Sequence, residues 1–207
     1  MIEKLACKSG RNDETLNIEL AILLCNKEDN IGIKEIVDGL NNKDKAIAND
    51  CIKVVYEIGE RKPELIANYA KDFISLLHSK NNRLAWGSMT ALSTIADLTP
   101  KVLLENIETI QSAYQNGSVI TIDNSITVFA KLCNTNKGSS DKMLSILLYH
   151  FETCRAKEIP QHIERASICF TNENKDAFIK ILENRKDELS LSQLTRVNKI
   201  LKKLQSL

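Results

Sequence analysis

The sequence predicts an all-α solenoid of stacked helix pairs, and three observations predict it. Apolar residues recur with a period of 37 along most of the 207 positions. Within each period they are spaced by three and four, the stripe of an amphipathic helix rather than the alternation of a strand. The chain is also poor in turn formers and rings, with 7 Gly, 3 Pro and 5% aromatic residues. A sandwich or barrel needs a turn signal about every 8–12 residues.

The period is set by Glu60-Arg61-Lys62-Pro63-Glu64-Leu65-Ile66, echoed by Asp97-Leu98-Thr99-Pro100-Lys101-Val102-Leu103. In the first helix of each pair the columns read Ile33, Ala70, Ile107, Leu144, Ile181; Ile36, Phe73, Ile110, Leu147; and Leu40, Leu77, Tyr114, Phe151. In the second helix they read Ala48, Ala85, Ile122, Ile159; Ile52, Met89, Ile126, Ile163, Ile200; Val55, Leu92, Phe129, Ala166; and Ile58, Ile95, Leu132, Cys169. Seven columns in one register are far beyond chance for a chain that is 43% hydrophobic. No single pair buries its own stripe, so neighbouring pairs must stack.

Boundaries follow from local chemistry. Residues 1–29 form an N-terminal helical cap, and five pairs occupy about 30–62, 63–99, 100–138, 139–171 and 172–207 of a single domain, residues 1–207. Pro63 and Pro100 suit the first helical position, where a missing N–H costs nothing. Thr99, Ser118, Ser140 and Asn172 are expected N-caps, and Ser190 with Gln193 spells a capping box. Asn134 through Ser140 is the longest polar loop. The C-terminal helix carries the stripe Leu191, Leu194, Val197, Ile200, Leu201 and Leu204 against a basic side.

Asp44-Lys45-Ala46-Ile47-Ala48-Asn49-Asp50-Cys51-Ile52-Lys53-Val54-Val55-Tyr56-Glu57-Ile58-Gly59 resembles the second helix of HEAT and HEAT-like (phycobilin-lyase type) repeats, which read Asp-x-x-Val-Arg-x-x-Ala-x-x-Ala-Leu-x-x-Ile-Gly. Asn81 through Ala96 keeps Leu84, Ser88, Ala91, Leu92 and Ile95 of that pattern. The resemblance implies a right-handed superhelix whose second helices line a concave binding face. It also implies a side-chain ladder of Asp and Arg between repeats. Here the Asp column runs Asp44, Asn81, Ser118, and the Arg column runs Ala48, Ala85, Ile122. With no Arg left, apolar packing is expected to hold the repeats.

Searching for chemistry yields little. No phosphate loop, H-E-x-x-H or G-x-S-x-G is present, and no catalytic residue or cofactor is expected. His150 and Cys154 stand four apart on one helix face, as two metal ligands would, but no third ligand lies near them in sequence, so no metal is assigned. Glu57 and Glu60, and Asp13 and Glu14, read as solvated faces and caps. Some HEAT-like solenoids are DNA glycosylases, which need a basic track and aromatics for an extruded base. With 28 basic and 27 acidic side chains, net +1, this chain lacks the field that drives duplex binding.

Removing the core columns leaves the strip expected to face a partner: Asn49, Trp86, Asp123 and Pro160; Lys53, Thr90, Thr127 and Glu164; then Glu57, Thr94, Lys131 and Ile168. Its mixed polarity suits a protein or peptide better than nucleic acid or membrane. Trp86, the one Trp, falls outside the apolar stripe and precedes Gly87 in mid-helix. It reads either as a binding hot spot or as a ring packed between repeats with Gly87 making room. The charged N-terminus and scattered cysteines, none in a C-x-x-C pair, point to a reduced, cytoplasmic protein. The sequence thus leads to a non-enzymatic scaffold that binds a protein or peptide.

Overall fold

A computed structural model describes residues 1–10, 13–135 and 137–207, with 137–139 given by backbone alone. Among them are twelve α-helices and no strand: α1 (Thr15–Lys27), α2 (Asn30–Asp38), α3 (Lys45–Arg61), α4 (Ala70–Ser75), α5 (Asn82–Ile95), α6 (Pro100–Glu105), α7 (Ile107–Asn116), α8 (Val119–Cys133), α9 (Lys137–Thr153), α10 (Ile159–Ala166), α11 (Lys175–Asn184) and α12 (Leu191–Gln205). Short 3-10 turns punctuate them, as at Pro63–Leu65, Ala67–Tyr69 and Ala156–Glu158. None of these helices is long and apolar enough to cross a membrane.

The chain divides into two compact units, Met1–Ser125 and Ile126–Leu207. In the first, α3 packs against α1, α2 and α5, and α4 against α5. Asp44 starts α3 by accepting a hydrogen bond from the Ala46 N–H at 2.9 Å, and Pro63 stops it, since the residue before proline is driven out of the helical region. The first helices of the second and third pairs are broken. Proline starts each, and Asn106 separates α6 from α7 by turning its amide onto the Val102 carbonyl, 2.9 Å away. Helix α1 lies on α3 as α5 does, and so covers the end of the array as a preceding repeat would.

In the second unit α9 packs on α10 and α11, and α12 closes over α10 and α11. Its core is aromatic: Phe178 meets Phe151 at 6.0 Å between centroids and Phe170 at 4.8 Å.

The columns are buried almost throughout. Ile52, Met89, Ile126 and Ile163 have no exposed surface, and neither do Val55, Leu92, Phe129 and Ala166. Leu144, Tyr114 and Ile122 are half-buried. Some boundaries differ from expectation. Ser140 lies inside α9, which begins at Lys137 and shortens the polar loop; Asn136 falls outside the described residues. Asn174 rather than Asn172 precedes α11, because the Asn174 side chain accepts from Thr171 N–H and closes a turn first. Thr99 turns its hydroxyl back to the Ile95 carbonyl and makes no side-chain cap. Leu191, in the first turn of α12, is exposed. Ser118 and the Ser190–Gln193 capping box form as expected.

Candidate protein-interaction surface

The seam between α3 and α5 is tight because each helix gives it a glycine. A Cβ on Gly87 would stand 2.6 Å from Ile52 Cγ1, and one on Gly59 would overlap the Thr94 hydroxyl. Close approach brings the next side chain, Trp86, onto Tyr56 of α3, with ring centroids 5.8 Å apart and planes tilted by 44°. Trp86 is half-buried. Gly87 therefore makes room for Ile52, and Tyr56 is what covers part of the indole.

Charge surrounds this pair of rings. The Arg83 guanidinium sits 5.6 Å from the Trp86 ring centroid, and the Lys53 ammonium 4.8 Å from that of Tyr56. Glu14, at the start of α1, bridges them, pairing with Arg83 and, at 3.1 Å, with Lys53. Lys53 also donates to Glu57 at 2.6 Å, and Arg61 donates to Glu57 at 2.5 Å. Burial by itself would push the Glu57 carboxyl up, but hydrogen bonds from Lys53 and Arg61 outweigh it and hold the group below its ordinary value. Burial likewise disfavours the charged Lys53, and Glu57 and Glu14 overcome that and raise it.

These contacts correct the expected strip. Lys53 and Glu57 are 7% exposed each, not open to a partner: α1 packs on α3 and delivers Glu14 to Lys53, and Lys53 and Arg61 engage Glu57. Glu14 and Glu57 are members of one ion network rather than solvated faces. Pro160 is buried at the start of α10. Asn49, Trp86, Thr90 and Asp123 are half-exposed in the first unit; Thr127 is half-exposed and Glu164 exposed in the second. Trp86 and Thr90 are one turn apart and joined, the Thr90 hydroxyl donating to the Trp86 carbonyl at 2.9 Å.

Polar rungs join neighbouring repeats in place of the missing Asp/Arg ladder. In the first unit Asn81 donates to Asn49 at 2.8 Å, and Asn124 to the Thr90 hydroxyl at 2.9 Å. In the second, Arg165 donates to Thr127 at 3.0 Å, and Arg196 grips Glu164 with two bonds of 2.8 and 2.6 Å. Four of the expected surface residues thus have a structural task as well. Sequence reasoning gave Tyr56 and Arg83 no role at the surface and took Glu14 for a solvated face or cap. Tyr56 had a signal, a ring beside the core column in an aromatic-poor chain; Glu14 had none, since it lies outside the periodic pairs. Among the described residues, open grooves of about 440 Å³ lie between first helices at Ile74, His78 and Thr109 and at Leu148, Lys180 and Ile181. Trp86 lines neither.

No family model matches the chain, and no curated protein does. Solved structures do. An engineered protein from a structural genomics consortium superposes with a TM-score of 0.66 at 15% identity, covering 99% of this chain and 96% of its own. A computationally designed armadillo repeat protein for modular peptide recognition gives 0.65 at 14% identity, over 91% of both chains. A designed armadillo repeat protein in complex with the peptide (KR)4 gives 0.62 at 15%, covering 81% and 79%. At such identities the likeness concerns the fold: the chain is a helical-repeat solenoid, with designed armadillo repeats among its structural neighbours.

Proposed function

We propose that this chain is a non-catalytic scaffold, HEAT-like in its repeats, that binds a protein or peptide on the surface formed by its second helices. The carrying observation is Trp86: a half-exposed indole, fixed from behind by Tyr56 and flanked by Arg83, on a tightly packed helix seam. A large ring already held in place loses little entropy when a partner covers it, which is why Trp and Arg anchor so many interfaces. Asn49, Thr90 and Asp123 supply polar groups from three successive second helices of the first unit. Peptide recognition by designed repeat proteins of the same fold supports the reading.

The chain's one Trp is also the reporter. Peptides selected from a display library against the intact chain should shift Trp86 emission saturably. Trp86→Ala should weaken their binding by about 2 kcal/mol or more, roughly 30-fold, the hot-spot scale. Trp86→Phe should keep part of the affinity, since a ring still rests on Tyr56. Selected peptides that leave the emission and the Trp86→Ala affinity unchanged would exclude this surface. A salt-dependent response to duplex DNA, with none to peptides, would favour a nucleic-acid binder on the same scaffold.

A further inference from the structure

Three soft or borderline ligand atoms converge in the second unit. His150 lies near the end of α9, and Cys154 follows it by one turn, its N–H bonded to the His150 carbonyl at 2.7 Å. The 3-10 turn Ala156–Glu158 then reverses the chain, so that α10 returns along α9 and presents His162. His150 Nε2 and His162 Nδ1 are 2.8 Å apart, and one ring nitrogen of each histidine and Cys154 Sγ all lie within 4.8 Å of one another. His162 has no exposed surface and His150 only 4%, while Cys154 is half-buried.

We propose that His150, Cys154 and His162 form a zinc site, binding one Zn²⁺ per chain and clamping α9 to α10. Two imidazoles and a thiolate are a donor set suited to this ion, and three protein ligands leave the fourth tetrahedral position to water. Zinc bonds of about 2.0–2.1 Å to nitrogen and 2.3 Å to sulfur place the two nitrogens about 3.3 Å apart and the sulfur about 3.6 Å from each. The imidazoles must therefore separate by about half an ångström, and Cys154 must close by about 1.2 Å at most, a movement within reach of one side-chain torsion.

Charge around the cluster is balanced. Glu158, 13% exposed at its side chain, lies close enough to act electrostatically on His162 and on Cys154, and the Arg155 guanidinium pairs with it, so it balances rather than adds charge beside the cluster. The Arg185 guanidinium, 3.8 Å from the thiol, is neutralised by two hydrogen bonds to Glu188 and held by the Phe151 carbonyl at 2.8 Å. Zinc takes cysteine as the thiolate, so binding releases the Cys154 proton. The ion enters on the Cys154 side, the least buried of the three.

The test is titration of the intact, reduced, chelator-stripped chain with Co²⁺ and then Zn²⁺. One equivalent of Co²⁺ should give a thiolate-to-cobalt charge-transfer band and the intense visible bands of tetrahedral coordination, and one equivalent of Zn²⁺ should bleach both. Zinc should also raise the melting temperature. Cys154→Ser should abolish the charge-transfer band and weaken zinc binding by more than the roughly 10–100-fold typical of outer-shell changes. Cys7→Ser, altering another partly exposed thiol, should change neither. Octahedral cobalt spectra without a thiolate band, no stoichiometric zinc uptake, or undiminished binding by Cys154→Ser would each overturn the site. The cobalt spectrum needs no variant, so a misfolded substitution does not protect the proposal.

Discussion

Gly87 and Ile52 fix how closely α5 approaches α3: with any Cβ at position 87, the nearest heavy atom would be Ile52 Cγ1 at 2.6 Å, and Ile52 is fully buried. The absent side chain sets the seam on which Tyr56 and Trp86 meet. Glycine in mid-helix costs on the order of 1 kcal/mol against alanine, and here close packing offsets that cost.

Gly87→Ala should accordingly destabilise the protein by about 1–2 kcal/mol, because overpacking a rigid core outweighs the gain in helix propensity. In an Ile52→Ala background the same change should cost less, as the pair is in direct contact. Urea denaturation of the four proteins checks both. A stabilising Gly87→Ala would mean that the seam yields.

Glu57→Gln should lower stability near neutral pH by about 1.5–3 kcal/mol, the scale for hydrogen bonds to charged groups. The gap to the parent should then close in acid. The folded Glu57 carboxyl is held below the ordinary value near 4.5, so its contribution is present above that value and is lost as pH falls through the lower folded value. Denaturation midpoints from pH 6 down to pH 3 measure the closing. A gap independent of pH would show that Glu57 contributes by packing alone.

Ile126→Ala should cost about 2–5 kcal/mol, as expected for a fully enclosed side chain whose cavity cannot collapse. Ile31, 85% exposed, gives the contrast: its change to Ala should stay within about 0.5 kcal/mol. Similar losses from the two would contradict the repeat register.

Ser190→Ala removes one half of the box that starts α12. The Ser190 hydroxyl accepts from the Gln193 N–H, and Gln193 Oε1 accepts from the Ser190 N–H at 2.8 Å. A loss of about 1 kcal/mol is expected in thermal or urea unfolding, with Ser190→Asp close to the parent.

By itself the sequence determined the helical repeat, the register of its core and some of its helix starts. These rest on local rules, since a stripe at spacing three and four and a capping residue act within one or two turns. Ile52, Met89, Ile126 and Ile163 could be named as buried without coordinates for that reason. Tertiary structure decided the fate of the polar groups. Lys53 reads as exposed from its column, yet the non-periodic α1 covers it and supplies Glu14. Trp86 is half-covered because Tyr56, thirty positions earlier, meets it across a glycine seam. His162 reaches His150 only because the turn at Ala156–Glu158 folds α10 back onto α9. A hydrophobic period records which face of a helix is inward. It carries no record of which neighbouring polar side chain will be waiting there, because that depends on pairings between elements that share no local pattern.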